Sequence, residues 1–160
     1  MDNLVMTGIV KDILFSGDKQ GELRSYPVAE AQAGKGIVGD RYYSAQGTFS
    51  SQLKDLPEFE MTLIEQEEID SFNKITKLNY CAAKFRRNIV TQGIRLNDLV
   101  DKEFTIGNVK LKGIRLCEPC HHLSTMIGPE VLEHMVNKAG LRAQILVSGK
   151  IYISDTIMQP

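Results

Sequence analysis

Asp101-Lys102-Glu103-Phe104-Thr105-Ile106-Gly107-Asn108-Val109-Lys110-Leu111-Lys112-Gly113-Ile114-Arg115-Leu116-Cys117 predicts two strands joined by a tight connection. The Gly107-Asn108 pair suits a short turn between antiparallel strands, so 101–106 and 109–117 are expected to form a hairpin. Upstream, Met6 to Phe15 is rich in β-branched and aromatic residues and predicts another strand. Ser16 to Gly21 supplies turn residues, and Pro27 to Ala33 predicts a second strand. Gly34 to Tyr43 is a glycine-rich loop, and Ser44 to Glu58 is polar, without periodicity, and read as a surface excursion near the mouth of a site.

Glu60 to Ile64 predicts a short strand leading into Glu65-Gln66-Glu67-Glu68, whose acids suit the positive end of a helix. Ile69, Phe72, Ile75 and Leu78 follow at helical spacing. Phe85 to Thr91 predicts a strand. Downstream of the hairpin, Gly128-Pro129-Glu130 has helix-start chemistry. Val131, Leu132, Met135, Val136 and Ala139 give an apolar face, and Gly140 a stop. Arg142 to Val147 and Lys150 to Ile157 predict a last pair of strands about Ser148-Gly149. Many short strands with two helices favour a mainly β or α+β, barrel-like domain.

The 160 residues suffice for one domain with a core that needs no disulfide staples. A formal net charge of −1 gives no basic field for nucleic acid or acidic membrane. The N-terminal residues lack signal-peptide chemistry and no apolar run approaches a membrane span, so a cytoplasmic location with reduced thiols is expected.

Leu116-Cys117-Glu118-Pro119-Cys120-His121-His122 holds two of the three cysteines and two of the three histidines. Cys81, beside two alanines, reads as a small buried hydrophobe, and Cys117 is either structural or reactive. Cys120 follows a proline, leaves the strand and precedes a helix-like segment, a setting that favours thiolate. The C-x-x-C-H pattern fits covalent haem attachment but lacks the export context that goes with it. A dithiol lacks the βαβ context, and a zinc site would need a further ligand. His134 reads as a surface or boundary residue. Arg41 closes the glycine-rich loop and Arg86-Arg87-Asn88 opens an apolar strand, positions from which arginines can converge on an anion.

These segments together resemble the small stand-alone MOSC family, named for the C-terminal domain of molybdenum cofactor sulfurase. The resemblance rests on Gly36-Ile37-Val38-Gly39-Asp40-Arg41-Tyr42, Arg86-Arg87-Asn88-Ile89-Val90 with Gly93 and Leu96, and Phe104-Thr105-Ile106-Gly107. It continues in Cys117-Glu118-Pro119-Cys120, Gly140-Leu141-Arg142-Ala143 and Val147-Ser148-Gly149-Lys150-Ile151. It implies a single MOSC domain over 1–160, with a β-barrel and two or more short helices. It also implies a role with the molybdenum cofactor, a pterin dithiolene bearing a phosphate. The family's defining cysteine falls on Cys120, as metal or sulfur ligand. Its phosphate-binding arginines fall on Arg41 and on Arg86 or Arg87, with Arg86 preferred, beside Asn88, and Lys19 would be a further phosphate contact. His often stands in the family where this chain has Tyr42.

The activity so implied is reduction of N-hydroxylated compounds, a small-molecule substrate, with electrons from a separate flavin or iron–sulfur partner. The alternatives are a non-catalytic carrier of sulfur or cofactor, and a thiol or zinc site. His121 and His122 would move protons or brace the loop. Three cysteines are too few for an iron–sulfur cluster held by four.

Overall fold

A computed structural model describes residues 5–17, 21–47, 50–53, 56–119, 123 and 128–160. The hairpin about Gly107-Asn108 forms as expected. Its arms β7 (Glu103–Ile106) and β8 (Val109–Leu116) pair antiparallel, with Phe104 opposite Leu111 and Ile106 opposite Val109. These four residues face inward, and Thr105 and Lys110 between them face the other way.

The remaining strands are β1 (Met6–Phe15), β2 (Arg24–Ser25), β3 (Val28–Gln32), β4 (Gly36–Ile37), β5 (Met61–Glu65), β6 (Ile89–Gln92), β9 (Leu141–Val147), β10 (Gly149–Tyr152) and β11 (Thr156–Gln159). Hydrogen bonding runs in the order β11-β7-β8-β9-β5-β6-β1, and β1 pairs back onto β11, closing a seven-stranded barrel. β1 is long enough to serve both neighbours. Met6 to Ile9 pair with β11, and Ile9 to Ile13 pair with β6 across a bulge between Val10 and Asp12. β10, β3 and β4 form a separate antiparallel sheet, whose Ala29, Ala31, Ile37 and Ile151 join the barrel's interior cluster.

β8 also bends. Its register against β9 shifts between Gly113 and Arg115, and Gly113 sits so close to the preceding 3-10 turn (Leu96–Leu99) that an added Cβ would lie 2.1 Å from the Leu99 carbonyl oxygen.

β5 is buried on both faces because two cores meet there. Met61 and Leu63 fill the barrel with Ile89, Leu141 and Ile145. Ile64 faces the other way, into a second cluster with Leu14, Phe72, Phe85, Val90, Cys117 and Met135. The helix α2 (Gln66–Thr76) covers that outer cluster and links β5 to β6, the one parallel pair in the barrel, which needs such a crossover. Phe72 of α2 meets Phe85 edge-on, with ring centroids 5.5 Å apart. Two further short helices are α1 (Ser50–Leu53), within the polar excursion, and α3 (Glu130–His134).

Several expectations are corrected. Phe85 to Arg86 is no strand. Ala82–Phe85 is a 3-10 turn that docks Phe85 on Phe72, and Arg86 takes a left-handed φ of 60° before β6 begins at Ile89. The helix expected to run to Ala139 stops after His134. Asn137 is left-handed, within a turn in which Lys138 N donates to the Met135 carbonyl, and Met135 and Ala139 reach the outer cluster from either side of it. Lys150 to Ile157 is two strands rather than one, divided by a turn that is closed by a hydrogen bond from Asp155 N to the Tyr152 carbonyl. β10 joins β3, and only β11 returns to the barrel. Ile75 is exposed, and Cys81, expected to be buried, is exposed as well.

Glu65 precedes α2 but does not cap it; its Oε2 instead accepts from Leu96 N at 3.4 Å. Burial, reinforced by the neighbouring charges of Glu68 and Glu67, raises its pKa from 4.5 to about 7. The folded chain therefore holds a proton between those values that the unfolded chain releases. Stability from this group is complete below the unfolded pKa and is lost as pH rises through about 7. Glu65→Gln keeps an acceptor for Leu96 without the charge. Thermal melts at pH 5 and pH 8 should show a smaller decline for the variant than for the parent; equal declines would refute the assignment.

Candidate functional site

Strand alternation places a polar row on the outer face of the barrel beside the second cluster. Arg142 of β9 pairs with Thr62 of β5. Thr62 in turn exchanges hydrogen bonds with Asn88, the residue before β6. Asn88 N donates to the Thr62 carbonyl at 3.1 Å, and Asn88 Oδ1 accepts from Thr62 N and Thr62 Oγ1, each at 3.1 Å. Asn88 Nδ2 donates to the Leu14 carbonyl at 3.1 Å and reaches Asp40 Oδ1 at 3.4 Å. Asp40 then pairs with Arg41 Nη1 at 3.2 Å. The row Arg142–Thr62–Asn88–Asp40–Arg41 thus runs from β9 across β5 and the residue before β6 to the glycine-rich loop; Arg142 and Thr62 are strand partners and the later links are hydrogen bonds or an ion pair.

Every member of the row is buried. Burial raises the pKa of Asp40, opposed by Arg41 and by the N–H donors of Tyr42 and Ser16. Burial also lowers the pKa of Arg142, an effect that nearby Cys117 and Tyr42 oppose and that Arg87 and Arg115 reinforce by like charge. Arg142 Nη1 has a long contact of 3.5 Å with the Glu58 carbonyl. Among the described residues, the Nε atoms of both Arg41 and Arg142 are buried without a hydrogen-bond partner. A buried guanidinium left partly unpaired is costly unless an anion completes it.

The other arginines arrive from the adjoining loop. Arg87 Nε donates to the Ala139 carbonyl at 2.8 Å, which brings Arg87 to the start of β9 near Arg142. Arg86 Nη1 donates to the Gly21 carbonyl at 2.8 Å and so secures the β1–β2 loop. Tyr42 lies with its ring 5.0 Å from the Arg41 guanidinium, within cation–π range. Cys117 is buried, and its N–H donates to the Gly140 carbonyl at 2.7 Å.

Of the residues singled out from sequence, Arg41 and Asn88 are thus joined through Asp40, and Arg87 stands near Arg142. Arg86 lies one residue from Arg87, with its guanidinium turned to the β1–β2 loop. Cys120, His121, His122 and Lys19 lie outside the described residues. Sequence reasoning missed Arg142 as a site residue. The signal was present: an arginine opening an apolar strand, the same feature that drew attention to Arg86 and Arg87.

Among the described residues no helix is long and apolar enough to cross a membrane, and no three His, Cys, Asp or Glu side chains cluster as a metal site.

The solved structures most relevant here share the fold at low identity. The YuaD protein from Bacillus subtilis superposes with a TM-score of 0.81 at 15% identity, covering 97% of this chain and 96% of that one. YiiM from Geobacillus stearothermophilus gives 0.73 at 12%, covering 96% and 75%. YiiM from Escherichia coli gives 0.66 at 15%, covering 95% and 69%. No curated protein matches the sequence. The family model described as "MOSC domain" matches residues 50–158, which include β5 to β10, most of β11, Asn88 and Arg142. With the barrel, the conjoined polar row and this match in agreement, the chain belongs to the MOSC domain family.

Proposed function

We propose that the chain binds the molybdenum cofactor by its phosphate and serves as a reductase of N-hydroxylated compounds, fed by a separate flavin or iron–sulfur protein. The family's association with that cofactor supplies the candidate group. One observation supports the fit: Arg41 and Arg142 are buried, each has an Nε without a partner among the described residues, and Asp40 is the carboxylate built into their row. A phosphate accepts several N–H donors at once and carries the charge that such a site lacks.

Arg41, Arg142 and Arg87 hold the phosphate in this reading. Asn88 and Asp40 orient Arg41, and Arg86 and Lys19 act from the β1–β2 side. Cys120, assigned by resemblance alone, supplies the thiolate, the protein ligand suited to a soft metal. The cofactor brings the redox chemistry when bound, and the protein contributes position, charge and exclusion of water.

The test is metal and pterin analysis of the chain purified from a cofactor-competent host, with Cys120→Ser as control. Molybdenum and pterin near one per chain in the parent, with molybdenum lost in the variant, are expected. Protein free of both, or loaded with zinc, would overturn the reading. Turnover of N-hydroxylated substrates with an added electron donor then separates an enzyme from a carrier.

A further inference from the structure

Arg41 is neutralised before any ligand arrives. Asp40 Oδ1 lies 3.2 Å from Arg41 Nη1 and 3.4 Å from Asn88 Nδ2, while Asp40 Oδ2 accepts from Tyr42 N at 3.1 Å. Asp40 and Arg41 are 2% and 4% exposed, so salt and water screen the pair little. A phosphate that binds Arg41 must stand beside a counter-charge that the fold already supplies.

The arrangement fixes how close the two anions come. Arg41 Nη1 is turned to Asp40, and the Nε, buried without a partner among the described residues, belongs to the same planar group. An oxyanion bonded to that Nε would stand within roughly 8 Å of the Asp40 carboxylate, one guanidinium away. Like charges at that range in a buried site oppose each other's ionisation strongly.

The other groups that face Asp40 are uncharged: Tyr42 N from its own loop, Ser16 N after β1 and the Asn88 amide before β6. Arg142 stands farther along the row with Arg87 near it, and in the reading above both are taken up by the phosphate itself. Burial already raises the pKa of Asp40, and Arg41 is the first of the groups opposing that rise. An anion seated on Arg41 weakens that opposition.

We propose that Asp40 makes anion capture proton-coupled: a doubly charged oxyanion binds at Arg41 as the Asp40 carboxylate takes up one proton from solution. The proposal rests on the phosphate reading above and gives that site a charge rule. The neutral carboxyl still has an oxygen to accept from Arg41, and it leaves the guanidinium's charge to the ligand. The complex holds a proton that the free protein releases. Affinity is therefore greatest at low pH and declines as pH rises through the interval between the free and bound pKa values.

The experiment is calorimetric titration of the full chain, produced in a host that makes no pterin cofactor, with sulfate and with inorganic phosphate. Sulfate stays doubly charged near neutral pH, so any proton taken up on binding it goes to the protein. Titrations at pH 6 and pH 8 are run in pairs of buffers that differ in ionisation enthalpy. Sulfate should bind roughly 10-fold or more tighter at pH 6, with net uptake of about half a proton or more. Infrared difference spectra of the same binding step should gain a protonated-carboxyl stretch, which no histidine can supply. Asp40→Asn removes the charge at nearly constant shape. It should lose both the proton uptake and the infrared band, and bind sulfate at pH 8 more tightly than the parent does.

Should the variant fail to fold, the proton count and the infrared band of the parent decide. Sulfate bound without proton uptake, without the band, or with equal affinity at the two pH values overturns the proposal and leaves the arginine reading standing. So does uptake that persists in Asp40→Asn, which places the proton on another group. If neither anion binds at either pH, the arginine reading falls and the proposal with it.

Discussion

Arg142→Met is expected to stabilise the fold while removing its affinity for phosphate. In the free protein Arg142 is a buried cation that, among the described residues, has an unpaired Nε, a long contact to the Glu58 carbonyl and two neighbouring arginines of like charge. An isosteric apolar side chain removes the desolvation and the repulsion together, a change worth about 1 kcal/mol or more. For a chain of this size the melting temperature should rise by roughly 2–4 °C. Removing one partner from a buried, charged hydrogen-bonded contact costs about 2–4 kcal/mol, so phosphate affinity should fall by roughly 30- to 700-fold. Denaturant titration and calorimetry on the same sample check both halves. A destabilised Arg142→Met with unchanged phosphate binding would mark Arg142 as an ordinary structural residue.

Gly140→Ala should be the most damaging single-methyl change in the site. Gly140 has φ of 117°, a region L side chains rarely adopt, and an added Cβ would stand 2.2 Å from the Leu63 carbonyl oxygen. Leu63 lies at the centre of β5, held by β6 on one side and β9 on the other, so the oxygen has little freedom to retreat. Strain of this kind costs about 3 kcal/mol or more. The melting temperature should drop by roughly 6–12 °C. The damage should spread to function, because the Gly140 carbonyl accepts from Cys117 N and the Ala139 carbonyl accepts from Arg87 Nε. A variant melting within about 2 °C of the parent would show that the loop repacks without strain.

The parts of the fold legible in the sequence are those fixed by short-range chemistry. Gly107-Asn108 marks a turn whatever surrounds it, and Ile69 and Phe72 lie at helical spacing because one helix face must be buried. The misread segments are those decided by distant partners. Phe85 lies in an apolar run that reads as strand, yet its partner is Phe72 on α2, and meeting it bends the chain into a 3-10 turn. Val131 to Ala139 has the composition of a helix, but the chain leaves the helix after His134 and turns through a left-handed Asn137, a backbone state that apolar spacing does not report. Lys150 to Ile157 splits because Ile151 belongs to the small sheet and Ile157 to the barrel.

At the site, the glycine-rich loop and the strand-opening arginines were visible as types in the sequence. Their meeting through Asp40 and Asn88 was not, because it depends on residues 26 to 74 positions apart. Arg142 was hidden for the same reason: only the β5–β9 register shows that it faces Thr62 rather than water.

The double service of β1 sets the order of assembly. Among the described strands, Met6 to Gly8 pair with β11 alone, so Met6 must find Gln159 before the ring of strands can shut. Loop closure over such a span is slow, and a nascent chain on the ribosome would carry β1 and β7 with bare edges until the last strand emerged. Shielding of that seam by a chaperone during synthesis should therefore matter more to yield than any single contact in the finished molecule.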